Sequence, residues 1–117
     1  MYSPQLLDHF QNPRNAGELP DADVMVDLEN PACGDMLRLT LKVNDGRITQ
    51  ANFKAKGCVA AIACASALTE LLAGASLADA ANLDREDVSQ AVGGLPQAST
   101  HAAQLAMDAL AAALRQI

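Results

Sequence analysis

The sequence predicts an α+β domain in which a small three-stranded antiparallel sheet carries helices packed on one face. Apolar and polar residues alternate in two early segments, a turn sequence joins the second of them to a third strand-like segment, and helical periodicity begins only afterwards. Half of the 117 residues are apolar, which is enough for one core and too little for two. We therefore expect residues 1–117 to form a single domain.

The first predicted element is a short amphipathic helix from Pro4 to about Gln11. Ser3 is a typical cap, and proline is favoured in the first turn of a helix. Apolar side chains then recur at helical spacing, at Leu6, Leu7 and Phe10.

Three strands are predicted next. Apolar residues alternate with polar ones from Val24 to Leu28 and again from Met36 to Val43. The turn sequence Asn44-Asp45-Gly46 leads into a third strand over 48–56. The last two strands should form a hairpin.

Helices are predicted for the rest of the chain. Helical spacing runs from Val59 to about Ala73, where Gly74 provides a stop. The caps predicted for the later helices are Ser76, Asp84 and Ser99, the last of which opens a helix that runs to Ile117.

Charge and cysteine content limit the function classes. Eight basic residues against fourteen acidic ones give a net charge of -6, so neither nucleic acid nor an anionic membrane is an expected partner. Three cysteines are an odd number, and the N-terminal residues lack a basic segment followed by an apolar one. These features predict reduced thiols in a cytoplasmic protein.

Four residues at the ends of predicted elements are the candidate site. Cys33 and Asp35 lie between two strands, Cys58 lies where a strand becomes a helix, and His101 lies in the first turn of the last helix. Thiolate, carboxylate and imidazole together can complete a tetrahedral site for zinc or iron. No closely spaced ligand pair such as CxxC adds local support.

Each candidate also has a structural interpretation. Cys58 is predicted to be a reactive thiol because a helix N-terminus and Lys56 favour its thiolate, but a small buried residue would also suit that turn. Cys33 could be a buried loop thiol. Asp35 could accept backbone hydrogen bonds at a turn or strand start, and His101 could be a solvated surface residue.

Cys64 is predicted to belong to the core. It lies six residues beyond Cys58, about 120 degrees round the helix and two turns away, so the two thiols could not reach one metal without unwinding the helix. Its helical stripe is apolar and consists of Ala61, Cys64, Leu68 and Leu71.

Several segments resemble the IscU/NifU family of iron–sulfur cluster assembly scaffolds. They are YSPQLLDHFQNPRNAG at 2–17, PACGD at 31–35, KVNDGRI at 42–48 and KGC at 56–58. The resemblance implies that a [2Fe-2S] cluster, or iron, is held at an exposed tip that zinc can also occupy. It also implies that a cysteine desulfurase and recipient apoproteins are partners. The implied ligands are Cys33, Asp35, Cys58 and His101.

Two positions depart from the family pattern. The family has His-Cys at the start of the last helix, and that cysteine is a cluster ligand and the main acceptor of sulfur, whereas here Ala102 follows His101. Residues 95–99 read Leu-Pro-Gln-Ala-Ser in place of the Leu-Pro-Pro-Val-Lys segment that IscU-type members present to an Hsp70-type chaperone. The second departure weakens the expectation of chaperone recognition.

Three functions follow as hypotheses. The first is a scaffold or carrier, rather than an enzyme, that holds iron or a cluster and passes it on. The second is a divergent paralogue that binds zinc or iron at the same residues without assembling clusters and has a regulatory role. The third is a thiol enzyme with Cys58 as nucleophile and His101 as base, for which the sequence supplies no evident oxyanion hole.

Overall fold

Three strands and five α-helices make up the described part of the chain, residues 2–30 and 34–117 of a computed structural model. The strands pair antiparallel in the order β1-β2-β3. The predicted α+β fold is confirmed. The elements in chain order are α1 (Pro4–Gln11), β1 (Val24–Asn30), β2 (Asp35–Asn44), β3 (Arg47–Lys56), α2 (Val59–Leu72), α3 (Leu77–Ala81), α4 (Arg85–Ala91), a short 3-10 turn (Gln97–Ser99) and α5 (Thr100–Leu114).

The sheet is built around the β2–β3 hairpin. Asp45 and Gly46 both have positive φ angles, as a tight two-residue hairpin turn requires. Alternation along the strands gives the sheet one apolar face, which α2 covers at β3 and α5 covers at β1 and β2. The buried strand residues of this face include Val24, Val26, Leu37, Leu39, Leu41, Ala51 and Phe53.

Helix α2 is the centre of the core. It contacts α1, β3, α4 and α5, and its buried residues lie all round the helix rather than on one stripe. Half of these buried residues are alanines, whose small side chains let neighbouring elements approach closely. Cys64 is 0% exposed within this helix, so its predicted place in the core is confirmed.

Local capping explains most helix starts. The Ser3 hydroxyl accepts the N–H of Leu6, the Ser76 hydroxyl accepts that of Asp79, and Asp84 forms a reciprocal capping box with Asp87. These three predicted caps are confirmed.

The last helix begins directly after Ser99, as predicted, but its capping and its end differ from the prediction. Within the described residues, Ser99 makes no capping hydrogen bond to α5, because residues 97–99 already form a 3-10 turn that continues into the helix. The helix ends at Leu114, after which the N–H groups of Gln116 and Ile117 bond to carbonyls three residues earlier. Ile117 therefore lies beyond the helix and is 50% exposed.

In residues 2–30 and 34–117, every helix is too short or too polar to span a lipid bilayer.

A buried histidine joins α1 to α2. The side chain of His9 is 6% exposed, with Nδ1 2.8 Å from the Ser66 hydroxyl and Nε2 3.3 Å from Glu70 Oε1. The same hydroxyl accepts the backbone N–H of Arg14 at 2.8 Å, so its own hydrogen can be donated to His9 Nδ1. The neutral imidazole can satisfy both contacts, and burial lowers the pKa of His9 more than the Glu70 carboxylate raises it.

We expect stability to fall as the pH drops below the ordinary histidine pKa of 6.5. Because the pKa of His9 is lower in the folded state, the unfolded chain binds the proton more tightly. Urea unfolding between pH 7.5 and 5 should therefore show a decline that is smaller in His9→Gln. Equal declines in both proteins would contradict this role for His9.

Candidate metal centre

Three side chains from three elements meet at one end of the sheet. Because Met36 pairs with Lys56, the start of β2 lies beside the end of β3, and Asp35 therefore lies beside Cys58 at the start of α2. Helix α5 packs across β1 and β2 and brings His101, its second residue, to the same end. The strand pairing and the helix packing thus bring together residues that are far apart in sequence.

The potential ligand atoms of Asp35, Cys58 and His101 all lie within 4.8 Å of one another. Cys58 Sγ is 3.4 Å from Asp35 Oδ2 and 3.8 Å from His101 Nε2. The same Nε2 is 3.5 Å from Asp35 Oδ2. One sulfur, one oxygen and one nitrogen therefore face a common point and could hold one metal ion.

This convergence differs from the geometry of a catalytic triad. In a triad, the base contacts the nucleophile through one ring nitrogen and its carboxylate through the other. Here His101 faces both Cys58 and Asp35 through Nε2. The arrangement resembles a set of metal ligands and does not favour the hypothesis of a thiol enzyme.

Asp35 is more buried than a site at an exposed tip implies. It is the first residue of β2, rather than part of the preceding loop as predicted, and it is 2% exposed. Its Oδ1 accepts the backbone N–H of Cys58 at 3.1 Å. Asp35 therefore has the role of a strand-start residue that accepts a backbone hydrogen bond, and it also faces the other two side chains. Cys58 and His101 are half-buried.

The pKa of Cys58 is raised, which corrects the prediction of a thiol activated by the helix terminus. Cys58 caps α2, and its Sγ accepts the N–H of Ala61 at 3.4 Å. Burial raises the pKa more than the N–H groups at the helix start lower it, and the Asp35 carboxylate raises it further. A cation bound beside the sulfur would favour the thiolate instead.

Among the described residues, Cys64 and position 102 contribute no ligand to this cluster. Cys33 lies outside the described residues. Burial raises the pKa of Cys64 to about 12, as expected for a core thiol. The side chain of Ala102 is buried, and position 102 supplies no sulfur.

Gly57 lies directly against the Asp35 side chain. Its position between Lys56 and Cys58 gives no sign of that contact, because the contact depends on the pairing of β2 with β3.

The family model for the NifU-like N terminal domain matches residues 1–117. The chain belongs to this family. It is 45% identical over 114 residues to a protein of Archaeoglobus fulgidus named iron-sulfur cluster assembly scaffold protein IscU 1. The aligned region covers 97% of this chain and 74% of that relative. A Drosophila melanogaster relative named iron-sulfur cluster assembly enzyme IscU is 40% identical over 118 residues, and the aligned region covers 97% of this chain and 76% of that relative. The family resemblance predicted from the motifs is confirmed.

Solved structures show the same fold. A NifU-like N-terminal protein from Brucella abortus superposes with a TM-score of 0.79 at 23% identity and covers 98% of this chain and 92% of its own. A putative scaffold protein for the SUF system from Fervidobacterium islandicum gives a TM-score of 0.78 at 18% identity, and the superposition covers 97% of this chain and 96% of that protein. At these identities, the likeness supports the fold alone.

We expect Cys64 to resist alkylation in the native protein. It is buried and its pKa is about 12, whereas half-buried Cys58 should react, though more slowly at pH 8 than in the unfolded chain. Iodoacetamide labelling followed by mass spectrometry of the peptides checks this, with urea-unfolded protein as the control in which both thiols react. Early labelling of native Cys64 would contradict its place in the core.

Proposed function

We propose that this protein is an iron–sulfur cluster assembly scaffold or carrier. Its cargo is iron or a [2Fe-2S] cluster, held at Cys33, Asp35, Cys58 and His101 and passed to recipient apoproteins. The observation that carries the proposal is the meeting of thiol, carboxylate and imidazole atoms within 4.8 Å, in a family member whose relatives are named cluster assembly scaffolds. Binding and transfer do not require the protein to act as an enzyme.

The chemistry of the side chains suits such a cargo. Thiolates are the usual ligands of iron–sulfur clusters, and imidazole also binds iron. The half-buried positions of Cys58 and His101 support transfer, because a recipient protein can approach them, while Asp35 is almost fully buried. The domain proposed to carry this activity is residues 1–117, the stretch that the family model matches.

A cysteine desulfurase is the proposed sulfur donor, in a cytoplasmic setting. Ala102 leaves no thiol where the family pattern has its main sulfur acceptor, so sulfur would have to be received on Cys33 or Cys58. Residues 95–99 do not match the family's chaperone segment, and an Hsp70-type chaperone is not included among the proposed partners.

Anaerobic reconstitution with iron and sulfide should produce a thiolate-to-iron absorption band. In Cys58→Ala, the band should fall at least about tenfold, because a ligand is lost. Cys64→Ala is the matched control, since it removes one thiol from the same helix but from the core, and it should retain the band. A band that survives in Cys58→Ala would rule out the proposed ligand set.

With a cysteine desulfurase and free cysteine, we expect a persulfide on Cys33 or Cys58 and none on buried Cys64. Mass spectrometry of the peptides locates the added sulfur. Absence of persulfide from both Cys33 and Cys58 would count against sulfur reception by this chain.

A second candidate function is favoured by Ala102 together with the mixed donor set. Cys33, Asp35, Cys58 and His101 supply four potential ligands, the number that a closed zinc site needs. A divergent paralogue could bind zinc or iron there and regulate a cluster-forming relative. Metal and sulfide analysis of anaerobically isolated protein separates the candidates, because stoichiometric zinc without a reconstitutable cluster favours the second.

A further inference from the structure

Gly57 leaves room for the Asp35 carboxylate. A methyl group on the Gly57 Cα would lie 2.7 Å from Asp35 Cγ and 3.0 Å from its Cβ, and it would overlap Oδ1. Real side chains essentially never approach so closely, and the first two atoms belong to a short side chain that is 2% exposed. Any side chain at position 57 must therefore move the carboxylate.

The position of that carboxylate determines the geometry of the cluster. Oδ1 accepts the N–H of Cys58, the residue that follows Gly57, while Oδ2 lies 3.4 Å from Cys58 Sγ and 3.5 Å from His101 Nε2. The carboxylate thus lies across the backbone at 57–58 with one oxygen held by the chain and the other turned to the thiol and imidazole. This placement is possible only where residue 57 has no Cβ.

We propose that Gly57 is a positioning residue of this centre, which sets the Asp35 carboxylate to bind a divalent cation together with Cys58 and His101. The proposal rests on the proposed function in taking these three side chains as metal ligands. In this role Gly57 would act on the cation through Asp35.

Backbone conformation alone is the competing explanation. Gly57 has a φ of +147°, which side-chain-bearing residues rarely adopt, so a substitution is strained even without the clash. Gly17 provides a matched control: its φ is +117°, and an added Cβ would meet no described atom within 4 Å. Gly17→Ala thus imposes the strain without the clash.

The test is a titration with Co²⁺ alone, followed by its thiolate and d–d absorption bands. Gly57→Ala should weaken Co²⁺ binding by about 10- to 100-fold, as loss of a supporting contact at a metal site does. Asp35→Gly should weaken it at least as much. Adding Gly57→Ala to Asp35→Gly should cause no further loss, because the carboxylate through which Gly57 acts is already gone. Gly17→Ala should bind as the wild type does.

A second measurement works without metal. The amide signal of Cys58 in nuclear magnetic resonance spectra of the metal-free protein reports its hydrogen bond to Asp35. Gly57→Ala and Asp35→Gly should both shift this signal in the same direction, and Gly17→Ala should leave it in place. Should Gly57→Ala fail to fold, the double variant with Asp35→Gly is expected to fold, since it removes all three crowded atoms.

The outcomes separate this inference from the proposed function. A wild type that does not bind Co²⁺ overturns the metal site, and with it the assignment of Gly57 to a cation. Wild-type affinity and an unmoved Cys58 amide in Gly57→Ala overturn the inference alone. A further loss of affinity when Gly57→Ala is added to Asp35→Gly also overturns the inference. The same holds if the double variant is unfolded while Asp35→Gly folds, because backbone strain then accounts for the effect.

Discussion

The pairing of β2 with β3 is the constraint on which the centre depends. The alignment of Met36 with Lys56 places Asp35 beside the 57–58 peptide, and the hydrogen bond from Cys58 N–H to Asp35 Oδ1 then joins the start of β2 to the start of α2. A shift of one residue in this register would turn Asp35 to the other face of the sheet. The site is therefore a consequence of the same pairing that builds the core.

Burial and charge act against each other at this centre. A carboxylate that is 2% exposed and a half-buried thiol both lose hydration, and the Asp35 carboxylate makes ionisation of the Cys58 thiol less favourable. A divalent cation would favour both negative groups at once, so the arrangement suits cation binding better than it suits an isolated nucleophile. This electrostatic argument and the convergence of Cys58 and Asp35 on His101 Nε2 point the same way.

Local sequence signals predicted the elements well, whereas long-range contacts limited the prediction of the site. The bounds of the first helix and the hairpin turn follow from neighbouring residues, and both agree with the structure. Neighbouring residues could not reveal that Asp35, 23 positions before Cys58 in the sequence, would help raise the pKa of Cys58. Nor could they reveal that Gly57 would make room for the Asp35 carboxylate. Ser99 occupies the predicted cap position of α5 but makes no capping hydrogen bond to it, because this serine already belongs to a 3-10 turn.

Helix geometry determines which sulfur atoms can serve the centre. Cys58 caps α2, and Cys64 lies six residues further along, about 9 Å at the usual helical rise, with its side chain in the core. Helix α2 can therefore supply only one thiol to the site. Because position 102 is an alanine, the second thiol of any cluster bound by this chain must come from Cys33 or from another molecule. The three cysteines of the sequence thus amount to at most two cluster thiolates, and among the described residues Asp35 and His101 lie beside Cys58 as potential oxygen and nitrogen donors.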